Sequence, residues 1–353
     1  MVSVGVSVTA AMVACLFLEV GLNTLIKAAN TNGMSNYVFI VYSNLLALCF
    51  LLPSTFFYYR KRVPPKIPSS ILFRMFLLSC LSTAVQTLKY NGIEYSSPTL
   101  SSAMDDLIPA FTFILAVLSR MENLNLKLHS SQAKIIGTVV SIAGALIVTL
   151  YKGIALTSNS LRNIVLGESG TYLSVQPAWV FGGFLLATAS FCLSNLLVVQ
   201  TWLIKDYPEE LLVTTICCSL VVTLSAIVAL VAEGNPRAWI LRFDKELIAV
   251  CYSAIFMISI RSVAVAWACR KKGPIYVAMF NPLGMVIAIG MGVIFLGDSL
   301  YLGSMIGAAI IAMGFYAVMW AQAQEENMVH TNQNRDFASS SSAPLLVTRT
   351  MDV

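Results

Sequence analysis

Charged residues are scarce in this chain. They make up 11% of its 353 residues, whereas hydrophobic residues make up 58% and the mean hydropathy is +0.79. Soluble domains contain about 25% charged residues, and a soluble core of this length has no room for so much apolar surface. A bilayer accepts spans of about 20 apolar residues and requires them to be helical. The composition therefore predicts an all-α integral membrane protein.

The chain also lacks the motifs of pumps, enzymes and metal sites. No GxxxxGK[ST] motif is present, which argues against ATP-driven pumping by this chain. The eight cysteines lie in apolar runs without a CxxC or Cys/His spacing, so we expect small hydrophobic side chains and no metal or other cofactor. The GxGD pattern of intramembrane aspartyl proteases is missing, because Phe295 stands where its first glycine should be. These absences predict that the protein is not an enzyme.

Ten apolar stretches are each long enough to cross about 30 Å at 1.5 Å per residue. They run over Val8–Ile26, Tyr37–Phe57, Ile71–Leu88, Pro98–Ser119, Ala133–Leu150, Ala178–Ile204, Leu211–Ala232, Leu247–Cys269, Ile275–Leu296 and Gly303–Trp320. No basic residue precedes the first stretch, and it is longer than the apolar region of a signal peptide, which predicts an uncleaved span. The sequence thus predicts ten transmembrane helices.

Basic residues cluster after the second, fourth and eighth stretches. They are Arg60, Lys61, Arg62, Lys66, Arg120, Lys127, Arg270, Lys271 and Lys272. With ten spans these loops share one side of the membrane, which the positive-inside rule assigns to the cytosol, together with both termini. The net charge of +5 is therefore interpreted as an orientation signal, and no nucleic-acid partner is expected.

A long polar connection divides the chain into two halves of five spans. It predicts a first five-helix unit over 1–151, a non-cytosolic linker over 152–177, a second unit over 178–323 and a disordered cytosolic tail over 324–353. Leu345-Leu346 is either a sorting signal or an ordinary part of that tail. An odd number of spans per half means that related halves would have inverted topology.

Landmarks in the two halves indicate that they are related. Ser97-Pro98 opens the fourth stretch as Gly273-Pro274 opens the ninth. Two equally spaced glycine pairs follow, in the fifth and tenth stretches: Gly137 and Gly144, Gly307 and Gly314. Several coincidences in register argue for a duplicated unit, so the sequence predicts two inverted five-helix repeats.

Four segments carry a resemblance to a known family. They are YSSPTLSSA over 95–103, LIPAFTF over 107–113, QAKIIGTVVS over 132–141 and GVIFLGDSLYLGS over 292–304. They resemble the plant nodulin-like EamA-domain transporters of the drug/metabolite transporter superfamily, known as "Walls Are Thin" related or "usually multiple acids move in and out" transporters. The resemblance implies a ten-helix inverted-repeat carrier for amino acids or, in some members, auxin. It also favours the plasma membrane over the vacuolar membrane.

The chain departs from the family pattern at several positions. Asp105 and Asp106 stand where the family usually has Ser-Asn, and Asn281 stands where a lysine usually precedes the proline. A His-Thr-Trp sequence is reduced to its tryptophan, Trp267, and Arg261 occupies a usually small or polar position. The substrate and any proton linkage therefore cannot be copied from the family.

Polar residues inside the first stretch are candidates for a solute path. Glu19, Asn23 and Lys27 recur every fourth residue and so share one helix face. A charge near the bilayer centre costs roughly 2.5–3.5 kcal/mol and usually faces a cavity or a partner. The alternatives are that this polar stripe joins neighbouring helices, and that Lys27 only extends to the membrane interface.

Charges in the fourth and eighth stretches are the next candidates. Asp105 and Asp106 are adjacent, so on a helix they diverge by about 100° and cannot face the same cavity. One is expected to be buried and protonated while the other pairs with a cation. We predict that this cation is Arg261 and that Asp106 is its partner, with Asp105 the second choice; a structural ion pair without a transport role is the alternative.

Five further residues complete the candidate solute path. Pro109 and Pro282 each remove a backbone donor inside a span, which either opens the helix for a substrate or only kinks it. Asn195 either lines the path or bonds a neighbouring helix, and Trp267 and Asn281 are the departures named above. We predict a secondary transporter or facilitator of a small organic solute, with amino acids first and auxin second. A non-transporting receptor in the bilayer, and homo-oligomerisation, stay open.

Overall fold

The computed structural model describes residues 2–30, 35–60, 65–96, 98–121, 129–150, 177–234, 239, 245–291 and 302–341. Every regular element in these ranges is a helix. The α-helices are α1 Val2–Asn30, α2 Asn36–Tyr59, α3 Ser69–Tyr95, α4 Pro98–Asp105, α5 Ile108–Leu118, α6 His129–Leu150, α7 Pro177–Asp206, α8 Glu210–Ala232, α9 Lys245–Tyr252, α10 Ser262–Lys272, α11 Pro274–Ala278, α12 Phe280–Met291 and α13 Leu302–Ser341. A π-helical segment, Ser253–Arg261, joins α9 to α10.

Seven helical segments are long and apolar enough to cross a bilayer. They are Asn36–Tyr59, Ser69–Tyr95, His129–Ile147, Val180–Asp206, Glu210–Ala232, Leu247–Lys272 and Met305–Glu325. Shorter apolar helices cover Val6–Glu19, Ile108–Leu118 and Pro274–Ile287. Phe56, Phe73, Phe184 and Leu230 are between 67% and 70% exposed on the bundle surface. Large apolar surfaces of this kind are unfavourable in water but suit a lipid environment.

Prolines and a glycine explain where two of the predicted stretches break. The fourth stretch divides at Asp106, and Pro109 lies in the first turn of α5, where its missing N–H is tolerated. The ninth stretch divides at Met279, between α11 and α12. Gly273, with φ of 88°, ends α10, and Pro274 then begins α11.

Contacts between the two halves of the chain are reciprocal. In the first half α3 packs on α7 of the second, and in the second half α9, the π segment and α10 pack on α1 of the first. In the same way α4 and α5 contact α7, while α12 contacts α1. The helix α2 packs on α8, and α6 packs on α13.

Glycines allow α6 and α13 to approach closely. A Cβ atom on Gly137 would lie 2.8 Å from the carbonyl oxygen of Gly314, and one on Gly144 would lie 3.0 Å from that of Gly307. These positions exclude any side chain, because a backbone atom of the neighbouring helix occupies the space. By sequence spacing, Gly137 corresponds to Gly307 and Gly144 corresponds to Gly314. In the structure each glycine faces the other glycine of the neighbouring helix and not the one to which it corresponds.

One end of the bundle holds several contacts that join the two halves. We call it the Arg74 end and define it by Tyr59, Arg74, Lys134, Asp206 and Glu209. Arg74 pairs with Asp206, and the Tyr59 hydroxyl donates to Glu209 Oε2 at 2.5 Å. The Lys134 ammonium, which is 1% exposed, lies 2.5 Å from a carboxylate oxygen of Glu325 in α13. These contacts connect α2, α3 and α6 to the second half.

Two helices are longer than predicted. The helix α3 continues past Leu88, where the third stretch was expected to end, as far as Tyr95. The helix α13 continues through residues 324–341, for which the sequence predicts a disordered tail. Alanine, glutamine and glutamate, which all favour helix, are frequent at the start of this extension.

Candidate solute path

Two ion pairs join four different helical elements within the bundle. Glu19 Oε2 of α1 lies 3.2 Å from Arg261 Nη2, at the end of the π segment. Lys89 Nζ of α3 lies 2.7 Å from Asp105 Oδ2, at the end of α4. The four side chains are between 23% and 32% exposed, so they are neither sealed in the core nor free on the surface. Glu19 is also close enough to Lys89 to interact with it electrostatically.

The π segment determines where Arg261 stands. The Ser259 hydroxyl donates to the carbonyl oxygen of Ala254, five residues earlier, at 2.8 Å. This spacing is characteristic of a π-helix, whose wider turn changes the direction of the side chains that follow it. Such segments are frequent at functional sites. Here the segment ends at Arg261, which contacts the acid of α1.

Close packing against Tyr252 fixes the position of α1, the helix that carries Glu19. The Tyr252 hydroxyl donates to the carbonyl oxygen of Leu18 at 3.0 Å, and a Cβ on Gly21 would lie 3.0 Å from that hydroxyl oxygen. The ring of Tyr252 also contacts the ring of Phe256, with centroids 4.7 Å apart. Tyr252 therefore fixes the backbone of α1 at the residue before Glu19.

The two neighbouring aspartates have different surroundings. Asp105 is held by Lys89, whereas Asp106 is only 2% exposed and lies in the break between α4 and α5. Its Oδ2 atom has no hydrogen-bond partner within the part of the chain that the structure describes. One of the two adjacent carboxyls is thus in an ion pair, and the other is buried.

The predicted pair between an aspartate and Arg261 was wrong. Arg261 pairs with Glu19, and the cation beside Asp105 is Lys89. Sequence reasoning missed Lys89 because the third stretch was expected to end one residue before it. The sequence signal for Lys89 is the polar pair Lys89-Tyr90 directly after an apolar run. A helix that continues two turns beyond that run places the Lys89 ammonium inside the bundle.

Asn281 compensates for the backbone donor that Pro282 removes. A proline leaves the carbonyl four residues earlier without its helical partner, which for Pro282 is the carbonyl of Ala278. Asn281 Nδ2 donates to that oxygen at 3.1 Å. Pro282 and Pro109 are both buried. Asn281 therefore acts on the helix break and does not contact the ion pairs.

The remaining candidates do not join the ion-pair cluster. Asn195 Nδ2 donates to Phe191 of its own helix at 3.0 Å, and Trp267 packs partly buried against an apolar cluster. Asn23 and Lys27 lie in α1, but their side chains are outside the described part of the structure. Of the predicted residues, the structure brings together Glu19 and Arg261, and it pairs Asp105 with Lys89.

The chain is similar to known proteins along nearly all of its length. A sequence profile of the EamA-like transporter family matches residues 6–150. Three WAT1-related proteins of Arabidopsis thaliana, At3g28050, At5g40240 and At5g40210, are 44%, 40% and 44% identical to it. The alignments cover 93%, 97% and 95% of this chain and 88%, 92% and 94% of those proteins. This chain belongs to the WAT1-related family of EamA-type transporters.

The family confirms the resemblance seen in the sequence. The WAT1-related chain is a multi-pass membrane protein of the drug/metabolite transporter superfamily, and it is a transporter and not an enzyme. Its fold is also similar to that of a protein of known crystal structure, with a TM-score of 0.67 over 91% of this chain and 99% of that chain. At 13% identity this second similarity shows the fold alone.

A groove on the outside of this WAT1-related protein is not the solute path. It has a volume of about 410 Å³ and is lined by Ser69, Leu72, Phe73, Phe76 and Leu220. Most of these side chains are apolar, and those of the three largest are exposed on the surface that would face lipid. Phe73 is about 24 Å along α3 from Lys89, at 1.5 Å per residue. The charged residues therefore define the candidate site.

Proposed function

We propose that this WAT1-related protein is a ten-helix carrier, built from two inverted five-helix repeats, that moves amino acids between its two ion pairs. The observation that carries the proposal is the meeting of two acids and two bases from four helical elements, Glu19 with Arg261 and Lys89 with Asp105. The contacts between the two halves support the repeat, and the chemistry of the ion pairs supports the solute.

The reciprocal packing supports an inverted repeat. The third helix of each half packs on the first helix of the other, and the second and fifth helices pack on their own counterparts. Gly137 faces Gly314 while Gly144 faces Gly307. In a pair related by a two-fold axis, residue i contacts residue j and j contacts i, which is the relation these glycines have. Such an axis in the membrane plane inverts one half relative to the other.

The charge of the site supports a zwitterionic solute. An amino acid carries a carboxylate, which suits Arg261 or Lys89, and an ammonium group, which suits Glu19 or Asp105. Because the solute brings one charge of each sign, it replaces each broken ion pair with a new one and leaves no charge unpaired. All four side chains are partly exposed, as a site that exchanges solute requires.

The second candidate solute is an aromatic monocarboxylate such as auxin. The Tyr252–Phe256 ring pair, which is held to α1 by the hydrogen bond from Tyr252 to the carbonyl of Leu18, is the observation that favours it. A monocarboxylate would use the cations of the site but has no ammonium group for Glu19. A variant that removes only the carboxylate of Glu19 therefore distinguishes an amino acid from a monocarboxylate as the solute.

Uptake by purified protein in liposomes tests the proposal. We expect exchange of at least one amino acid, and we expect Glu19→Gln to reduce it about tenfold or more, since a hydrogen bond to a charged group is worth about 1.5–3 kcal/mol. Glu233→Gln, outside the spans, removes the same charge and is the matched control. Auxin uptake that persists in Glu19→Gln, without amino-acid uptake by the wild type, would favour the second solute. No uptake of either would favour a receptor and reject a carrier of these solutes.

The orientation and location proposed are those predicted from the sequence. Both termini, and the loop between α2 and α3, lie in the cytosol, because basic residues follow the second, fourth and eighth spans. The Arg74 end of the bundle is then the cytosolic end. The plasma membrane is the favoured location.

A further inference from the structure

Asp106 is a buried carboxyl that the proposed solute site does not use. It lies in the break between α4 and α5, is 2% exposed, and carries one oxygen without a hydrogen-bond partner among the described residues. Its neighbour Asp105 is already neutralised by Lys89. The carboxyl is therefore next to the solute site without being part of an ion pair.

The described residues of the elements packed around Asp106 supply no cation for it. These elements are α3, α6, α7, α11 and α12. Their described charged and titratable residues are Arg74, Cys80, Lys89, Tyr90, Glu94, Tyr95, His129, Lys134, Cys192, Lys205, Asp206 and Tyr276. Lys89 is engaged by Asp105, while Arg74, His129, Lys134, Lys205 and Asp206 belong to the Arg74 end of their helices. Among all of these residues and Asp105, only Asp105 is close enough to act electrostatically on Asp106.

An ionised carboxylate is unfavourable in such a position. A buried charge that lacks a partner loses its hydration, and a carboxyl group in this situation binds a proton instead. The negative charge of Asp105 opposes a second negative charge on the adjacent residue. Both effects favour the protonated form of Asp106 in the conformation described here.

We propose that Asp106 binds and releases a proton during each transport cycle and thereby links solute movement to proton movement in the same direction. This inference rests on the proposed carrier function. While Asp106 holds its proton, Lys89 and Asp105 form a neutral pair that a solute can enter. Once the proton leaves, a second negative charge stands next to Asp105, and this added charge disfavours the carboxylate of the solute. Proton and solute therefore stabilise each other's binding, as reciprocal coupling requires.

Accumulation in liposomes tests this coupling. With the membrane potential clamped at zero and the outside more acidic by about one pH unit, a carrier that moves one proton per amino acid reaches about tenfold accumulation. We expect the wild type and the control Glu233→Gln to approach this value. Asp106→Asn keeps a neutral side chain of the same shape, so it should still exchange labelled for unlabelled amino acid but should not accumulate it. Asp106→Glu retains a carboxyl and should restore part of the accumulation.

The outcomes separate the proton inference from the carrier function. Exchange by the wild type without accumulation under the pH gradient would leave the carrier in place and overturn the role of Asp106. Accumulation that persists in Asp106→Asn would overturn it as well. If the wild type moves no amino acid, the proposed function fails, and infrared spectroscopy still tests Asp106: the band of a protonated carboxyl should be present at neutral pH and absent in Asp106→Asn. A spectrum without this difference would overturn the inference.

Discussion

Charges inside an apolar helix need partners, and the identity of those partners depends on the rotation of each helix. Glu19, Arg261, Asp105 and Asp106 were recognised as candidates because a charge at the bilayer centre is costly. The pairing was not predictable, since it depends on how the π segment directs Arg261 and on how far α3 continues beyond its apolar run. The backbone hydrogen bonds that define both features are not visible in residue types alone.

A double-mutant cycle tests the Glu19–Arg261 pair. Glu19→Gln and Arg261→Gln should each lower the folded yield, and the double variant should recover part of the loss, because no charge then lacks a partner. We expect a coupling energy of about 0.5–3 kcal/mol, measured by thermal or denaturant stability in detergent. Asp106→Asn combined with Arg261→Gln is the comparison, and its effects should add within about 0.5 kcal/mol. Additive effects in the Glu19 cycle would contradict the pair.

The amide of Asn281 provides a second test on the scale of one residue. In Asn281→Ala the carbonyl of Ala278 loses its donor, and an unsatisfied buried acceptor costs about 1–3 kcal/mol. Asn195→Ala is the matched control, because the amide of Asn195 returns to a carbonyl within a regular part of its own helix. Thermal unfolding in detergent should show a larger loss for Asn281→Ala. Equal losses would mean that Asn281 does not support the break.

On the scale of elements, the sequence located most helices but not their internal breaks. Apolar length predicted where helices run, whereas Pro109 and Pro282 left open whether the fourth and ninth stretches open or only kink. The division at Asp106 and at Met279 depends on backbone conformation that a proline permits but does not dictate. The π segment left no signal in the hydropathy pattern, because its residues are as apolar as those of an α-helix.

The glycine contacts between α6 and α13 give a test of packing. A Cβ on Gly314 would lie 2.6 Å from both the carbonyl oxygen of Gly137 and the amide nitrogen of Ser141, which are backbone atoms. Gly314→Ala must therefore separate the helices, and overpacking of this kind costs about 1–3 kcal/mol. Gly290→Ala in α12, where a Cβ meets nothing within 4 Å, is the control. The melting temperature should fall for Gly314→Ala only, and an equal response would contradict the close approach.

On the scale of the whole molecule, the sequence predicts a repeat from landmarks that lie in register in its two halves. The glycine spacing in the fifth and tenth stretches predicted related halves, and in the structure those glycines face one another. The contacts at the Arg74 end were not predicted, because they join residues far apart in the chain, such as Arg74 and Asp206. No short pattern marks such a contact.

Labelling of single cysteines tests the topology of the whole chain. In a background without the native cysteines, a cysteine placed at Lys61 should react from the cytosolic side, and one placed at Asn159 from the opposite side. Three predicted spans lie between the two positions. Because this number is odd, the two positions should be on opposite sides of the membrane. Both positions lie outside the residues that the structure describes. Reaction from the same side would reject the ten-helix arrangement.

The length of α13 has a consequence for how the protein can be observed. Its 40 residues include a candidate span that ends at Glu325, and the 16 that follow, to Ser341, add about 24 Å of helix beyond it. A fluorescent reporter fused after Ser341 would therefore stand on a semi-rigid spacer and not on a random coil. Energy transfer from that reporter to dye-labelled lipids would then report the tilt of α13 with each change of conformation.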